Sequence, residues 1–113
     1  MSMTTTQNIH QRNNEIASTI LAQIPPMLRM ALGIRDRYVI HGGLRFVATG
    51  TRRCIFEITL NEGLDLYEMN VFTERRKKGE LMPTRTMRYH AEMIDAGQMV
   101  RILDMMDRGQ IEL

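Results

Sequence analysis

Cys54-Ile55-Phe56-Glu57-Ile58-Thr59-Leu60 places Phe56, Ile58 and Leu60 on alternate positions, with Glu57 and Thr59 between them. Strand side chains repeat every two residues, so this stretch reads as a sheet strand with one covered and one wet face. Its neighbours extend the pattern. Arg37-Tyr38-Val39-Ile40-His41 reads as a short strand, and Gly42-Gly43 as a two-residue hairpin turn. Leu44-Arg45-Phe46-Val47-Ala48 returns with Leu44, Phe46 and Ala48 inward. Asn61-Glu62-Gly63 turns the chain again, and the run from Leu64 to Phe72 has Tyr67, Met69 and Val71 on one face against Glu68 and Asn70. Short connections favour sequential neighbours, which predicts an antiparallel meander of about four strands. Leu81 to His90 has β-type residues but carries Pro83, which suits an edge strand or an extended arm.

Helices flank this sheet. Ile16, Ile20 and Ile24 recur at i, i+4 and i+8, one stripe of an amphipathic helix, with Asn13 or Asn14 as its N-cap. Pro25-Pro26 ends it, Pro26 to Leu32 restarts as a second helix, and Gly33 stands where a left-handed cap belongs. Asp95 opens the C-terminal helix, with Gln98 as its capping-box partner and Met99, Ile102, Leu103 and Met106 as its apolar stripe. The expected fold is α+β: an N-terminal helix pair, the meander, and a C-terminal helix packed on one sheet face. Residues 1–12 read as a flexible polar tail and 13–113 as a single domain.

Composition narrows the function classes. The 113 residues are 43% hydrophobic and 25% charged, an ordinary globular balance, with 11 Met, no Trp and 3 each of Phe and Tyr. Met therefore serves as a core filler. The single cysteine, Cys54, excludes an intramolecular disulfide and a Cys-based zinc site, and its strand position predicts a buried, inert thiol. Met1 to Gln11 lacks the basic start and apolar run of a signal peptide, and no stretch reaches membrane-spanning length. The expectation is a soluble protein of the host-cell cytoplasm with no membrane partner.

No catalytic constellation appears. His10, His41 and His90 show no helical metal-site spacing and read as surface or capping residues. Asp65 and Glu68, at the start of the last strand, read as solvated charge rather than an acid–base pair. Glycines 42, 43, 50, 63 and 79 are explained by turns, and none forms a phosphate loop opening a helix. These observations predict no cofactor, no metal and no enzymatic activity.

Charge is more informative. The net +2 is unevenly spread: residues 1–53 hold seven Arg against Glu15 and Asp36, whereas 54–113 hold eight bases against eleven acids. Arg75, Arg76, Lys77, Lys78, Arg85 and Arg88 oppose only Glu80 between 75 and 88, and Arg52-Arg53 lie in a turn that a meander can bring near them. These eight residues form the candidate nucleic-acid surface, since a basic loop binds phosphates by charge alone. Exposed aromatic rings for base stacking are missing from the pattern: Tyr38, Phe46, Phe56 and Tyr67 have core addresses, which leaves Tyr89. From 54 to 74 the chain carries five acids and no base, so the outer sheet face reads as acidic and suited to a basic protein partner. Val39, Val47 and Ile55 alternate away from the core positions and, with Glu57 and Glu68, make the candidate protein interface. An open apolar face of this kind predicts a homodimer.

Ala31-Leu32-Gly33-Ile34-Arg35, Leu44-Arg45-Phe46 and Ile58-Thr59-Leu60-Asn61 followed by Leu64-Asp65-Leu66-Tyr67 resemble the small proteins encoded in tailed-bacteriophage and prophage genomes. The likeness runs from about Ala17 to the end of the C-terminal helix. It departs at the longer loop from Arg75 to Met82 and at the closing Asp107-Arg108-Gly109-Gln110-Ile111. The resemblance implies a mobile-element origin and an α+β fold, and carries no catalytic residue. It brings no established activity; the implied origin together with the dipolar charge layout points first to docking on a host or phage protein, with interference in a host defence complex as a concrete form, and the basic 75–88 loop with Arg52-Arg53 gives the alternative, a nucleic-acid-binding accessory protein.

Overall fold

The computed structural model describes residues 5–50 and 52–113. Among the described residues there are three helices and a five-stranded antiparallel sheet, in chain order α1 (Thr5–Gln23), α2 (Pro26–Leu32), β1 (Ile34–Ile40), β2 (Gly43–Ala48), β3 (Cys54–Asn61), β4 (Leu66–Arg75), β5 (Thr84–Ile94) and α3 (Ala96–Asp107). The strands lie side by side in sequence order, a pure meander. The α+β expectation holds. The fifth strand is the proline-led segment, which pairs with β4 from Arg75↔Thr84 to Tyr67↔Ile94 and forms an edge.

All three helices cover one face of the sheet. Ile16 and Ile20 of α1, Ile24 just beyond its end, Leu28 and Leu32 of α2, and Met99, Leu103 and Met106 of α3 join Leu44, Phe46, Cys54, Phe56, Ile58, Met69 and Val71 in a single core. The predicted breaks occur where proline and glycine chemistry demands them. Pro26 begins α2, and Gly33 closes it at φ 64°, with its N–H donating to the Met30 carbonyl at 3.1 Å. Asp95 and Gln98 form the reciprocal capping box at the start of α3.

Three expectations are corrected. The polar segment expected to be a flexible tail is helical from Thr5 onward; residues 1–4 lie outside the described residues. No Gly or Pro interrupts 5–23, so a solvent-facing polar face continues the turn begun by the isoleucine stripe. Asn13 is therefore not a cap: its side-chain Oδ1 accepts the Gly42 N–H at 2.8 Å and ties α1 to the first hairpin.

The first hairpin turns one residue early. Ile40 pairs with Gly43, so His41 and Gly42 make the turn. Gly43 is in β2 for a different reason than turn geometry: a Cβ there would sit 1.9 Å from the Ile58 carbonyl oxygen. Moving a two-residue turn by one position shifts the pairing by two, so each residue of β1 keeps its face: Val39 shares the helix side with Leu44 and Phe46 under either turn. Val39 lies opposite Leu44, and Tyr38 lies opposite Arg45 on the open face, 61% exposed rather than in the core. A bulge at Asp36, with φ 51°, absorbs the extra residue.

The open face is not an exposed apolar patch. Val47, Ile55 and Phe72 are 7%, 4% and 3% exposed and form a second small core. Arg45 and Arg85 lay their guanidinium groups over the Phe72 ring, 5.8 and 4.5 Å from its centre. Glu74 holds both arginines, at 2.9 Å to Arg85 and 3.6 Å to Arg45, and Glu57 meets Arg45 at 3.7 Å. The surface on which the homodimer was expected to form is thus covered within one chain. Replacing Ile55 with Glu should unfold the protein rather than alter its assembly, because the charge would be buried without a partner. The expected cost is about 3 kcal/mol or more, read from urea denaturation; an Ile55→Glu chain as stable as the parent would contradict this packing.

Candidate nucleic-acid interface

Antiparallel order sends alternate connections to opposite ends of the sheet. The β2–β3 loop carrying Arg52 and Arg53, the β4–β5 hairpin tip from Arg76 to Pro83 and the start of β1 with Arg35 and Arg37 all emerge at one end. The two basic segments that the sequence separates by more than twenty residues therefore share one end. The other end holds the β3–β4 turn with Asp65 and with Glu62, which pairs with Arg12 of α1, together with Glu68, Glu92 and Asp95. The charge asymmetry seen along the chain becomes an asymmetry along the strands.

The eight candidate cations are not equivalent. Arg52, Arg53, Arg75, Arg76, Lys77, Lys78 and Arg85 are exposed and Arg88 is half-buried. Arg85 is committed to Glu74 and Phe72. Arg88 donates to the Thr73 hydroxyl at 3.2 Å, at the bulge that gives β5 one extra residue between Tyr89 and Met87. Arg52 donates to the Leu113 carbonyl oxygen at 2.7 Å, and Arg76 to that of Leu81 at 3.1 Å. Among the described residues, Arg53, Arg75, Lys77 and Lys78 form no ion pair. Long side chains without a carboxylate partner, on a hairpin tip, are free to reach a phosphate.

The aromatic residue that the sequence pattern lacked is Tyr38. It stands exposed on the open face, in a shallow groove it lines with Asp36, Ile40, Arg45, Val47, Arg53, Ile55 and Glu74. Tyr89, the residue expected to be available, instead packs half-buried against the main core beside Val71. The signal that could have found Tyr38 is the hairpin register, which places it across from Arg45.

The candidate protein interface is dispersed. Val39 is at the β1 edge on the helix side, Val47 and Ile55 are covered, and Glu57 is tied to Arg45. Glu68 is half-buried on the open face of β4, near His90 and Glu92 of β5, a cross-strand neighbourhood that sequence spacing could not reveal. No family model, curated protein or solved structure matches the chain, so its function is read from these residues.

Cys54 lies beneath the basic end, 1% exposed. Burial pushes its thiol above the ordinary range, against the opposing pull of Arg52 and Arg88. A raised folded-state pKa favours the neutral thiol, so its stabilising contribution is full below the unfolded value of about 8.5 and is lost as pH rises through the folded value. Alkylation of the folded protein by iodoacetamide at pH 8 should run at least tenfold slower than in urea. Equal rates would show that the thiol is accessible.

Proposed function

We propose that the chain is a non-catalytic binding protein whose working surface is its basic end, and that it takes single-stranded nucleic acid. The observation that carries this reading is the convergence of Arg53, Arg75, Lys77 and Lys78, without carboxylate partners among the described residues, at one end of the sheet, with Tyr38 exposed further along the open face in a groove that Arg53 also lines. The cations track phosphates, and one ring offers a base a stacking face. Arg52 and Arg76 extend the surface, whereas Arg85 and Arg88 support it from the strand. Duplex is the poorer fit, because Tyr38 contributes to binding only where a base can unstack.

Docking on a host or phage protein is the second reading, and one observation favours it. Among the described residues the outer edge of β5 has no neighbouring strand, and Met87 and Met93 stand 56% and 63% exposed along it. Such an edge can accept an added strand. The acidic positions Glu57 and Glu68 support this reading less, since Arg45 already neutralises Glu57.

Fluorescence anisotropy with a labelled oligonucleotide separates the two. At about 50 mM salt the protein should bind single strands, and affinity should fall steeply by about 200 mM. Replacing Arg75, Arg76, Lys77 and Lys78 together with Gln should weaken binding at least tenfold and flatten the salt slope by about 0.7 for each phosphate no longer neutralised. Tyr38→Ala should cost about 1–3 kcal/mol on single strands and leave duplex binding unchanged. Absence of binding at low salt would remove the nucleic-acid reading and leave the β5 edge.

A further inference from the structure

At the opposite end of the sheet from the basic loops, Glu68, Asn70, His90 and Glu92 share the open face of β4 and β5. Asn70 and His90 are direct cross-strand partners. Between the pairs Tyr67↔Ile94 and Met69↔Ala91, Glu68 faces the bulge formed by Glu92 and Met93, where Met93 takes φ 57°. Two carboxylates across adjacent strands repel one another. Among the described residues neither is paired with Lys or Arg, and the one cationic partner either can have is His90.

The hydrogen bonds determine what the imidazole presents. Asn70 Nδ2 lies 3.4 Å from Glu68 Oε2, and a carboxylate only accepts, so the amide is oriented with its oxygen toward His90. That oxygen is 2.5 Å from His90 Nδ1 and can only accept as well. Nδ1 therefore carries the proton, and the neutral ring offers its lone pair at Nε2, 3.9 Å from Glu92 Oε2. One donor atom each from Glu68, His90 and Glu92 lie within 4.8 Å of one another.

We infer that these three side chains bind a divalent transition-metal ion, with zinc the best match. The donors are an imidazole nitrogen and two carboxylates, a set that suits zinc and leaves a fourth tetrahedral position for water. Calcium and magnesium prefer oxygen alone. Tetrahedral zinc with bonds of about 2.0–2.1 Å needs donors roughly 3.3 Å apart. Glu92 and His90 are exposed enough to close that gap by side-chain rotation on fixed strands. The Asn70 contact then holds the ring in its ligating tautomer, and the ion removes the repulsion between Glu68 and Glu92. This site lies away from the basic interface and does not depend on nucleic-acid binding.

Calorimetric titration of the untagged chain with zinc chloride tests the assignment. One equivalent should bind, and cobalt(II) should give the visible absorption of a low-coordinate site. His90→Ala and Glu92→Gln should each weaken zinc binding at least tenfold, Asn70→Ala roughly tenfold because the ring is no longer oriented, and His41→Ala not at all. In metal-free buffer Glu92→Gln should raise the melting temperature, because the facing charges are no longer alike; zinc should raise that of the parent. Failure of the parent to bind zinc below millimolar concentration would overturn the inference. So would His90→Ala and Glu92→Gln variants, both folded by circular dichroism, that bind as tightly as the parent.

Discussion

Phe46 stacked on Phe56 is the contact on which the rest of the structure depends. The rings lie 5.0 Å apart and 9° from parallel, both fully buried, and the two residues are direct partners across β2 and β3. Such a pair pins register, and a slip of one residue would turn both rings out of the core. Once they face the helices, Leu44 and Ile58 on one side and Ala48 and Cys54 on the other are committed to the same face. The same register sends Val47 and Ile55 to the opposite face, where Phe72 completes a second cluster. The sheet therefore has apolar centres on both sides, and each needs a cover.

The two covers differ in kind. On one side, three helices supply Ile, Leu and Met side chains that fit around the stacked rings; Met is suited to this because its unbranched thioether adapts to irregular gaps. On the other side no helix lies among the described residues, and the cover is made from the stems and guanidinium planes of Arg45 and Arg85, held over Phe72 by Glu74. An arginine lid keeps the charge in water while removing apolar area from it. It explains how a face left bare by the helices avoids being an aggregation surface.

Most of the fold was legible because it follows from local rules. The alternation through Cys54–Leu60, the isoleucine stripe of α1, the stop at Pro25-Pro26, the cap at Gly33 and the Asp95–Gln98 box each predict their own element. What escaped depends on partners distant in sequence. The position of the first turn goes with the close approach of Gly43 to the Ile58 carbonyl, and the pairing of β1 with β2 puts Val39 on the helix side and Tyr38 on the open face. The burial of Val47 and Ile55 depends on arginines reaching across strands. The candidate cations were visible as charge runs, but their shared end and their differing partners arise only from the meander. The Glu68–His90–Glu92 grouping has no sequence signature, because its members meet across two strands joined by a long hairpin.

The arginines divide by position. Three strand arginines are used by the fold: Arg45 and Arg85 are held by carboxylates over an aromatic ring, and Arg88 is bonded to Thr73 at a bulge. Arg53, Lys77 and Lys78 lie between strands and Arg75 at the end of one, and these have no such partners among the described residues. Pairing in the middle of the open face lowers the charge there, so the field of the molecule is set by its two ends. A polyanion approaching along that field meets the basic loops first and is turned away from the acidic turns, and a cation is drawn the other way. The strands keep these two tendencies apart, because a rigid sheet does not let the hairpin tip fold back onto Glu68 or Glu92 and neutralise itself.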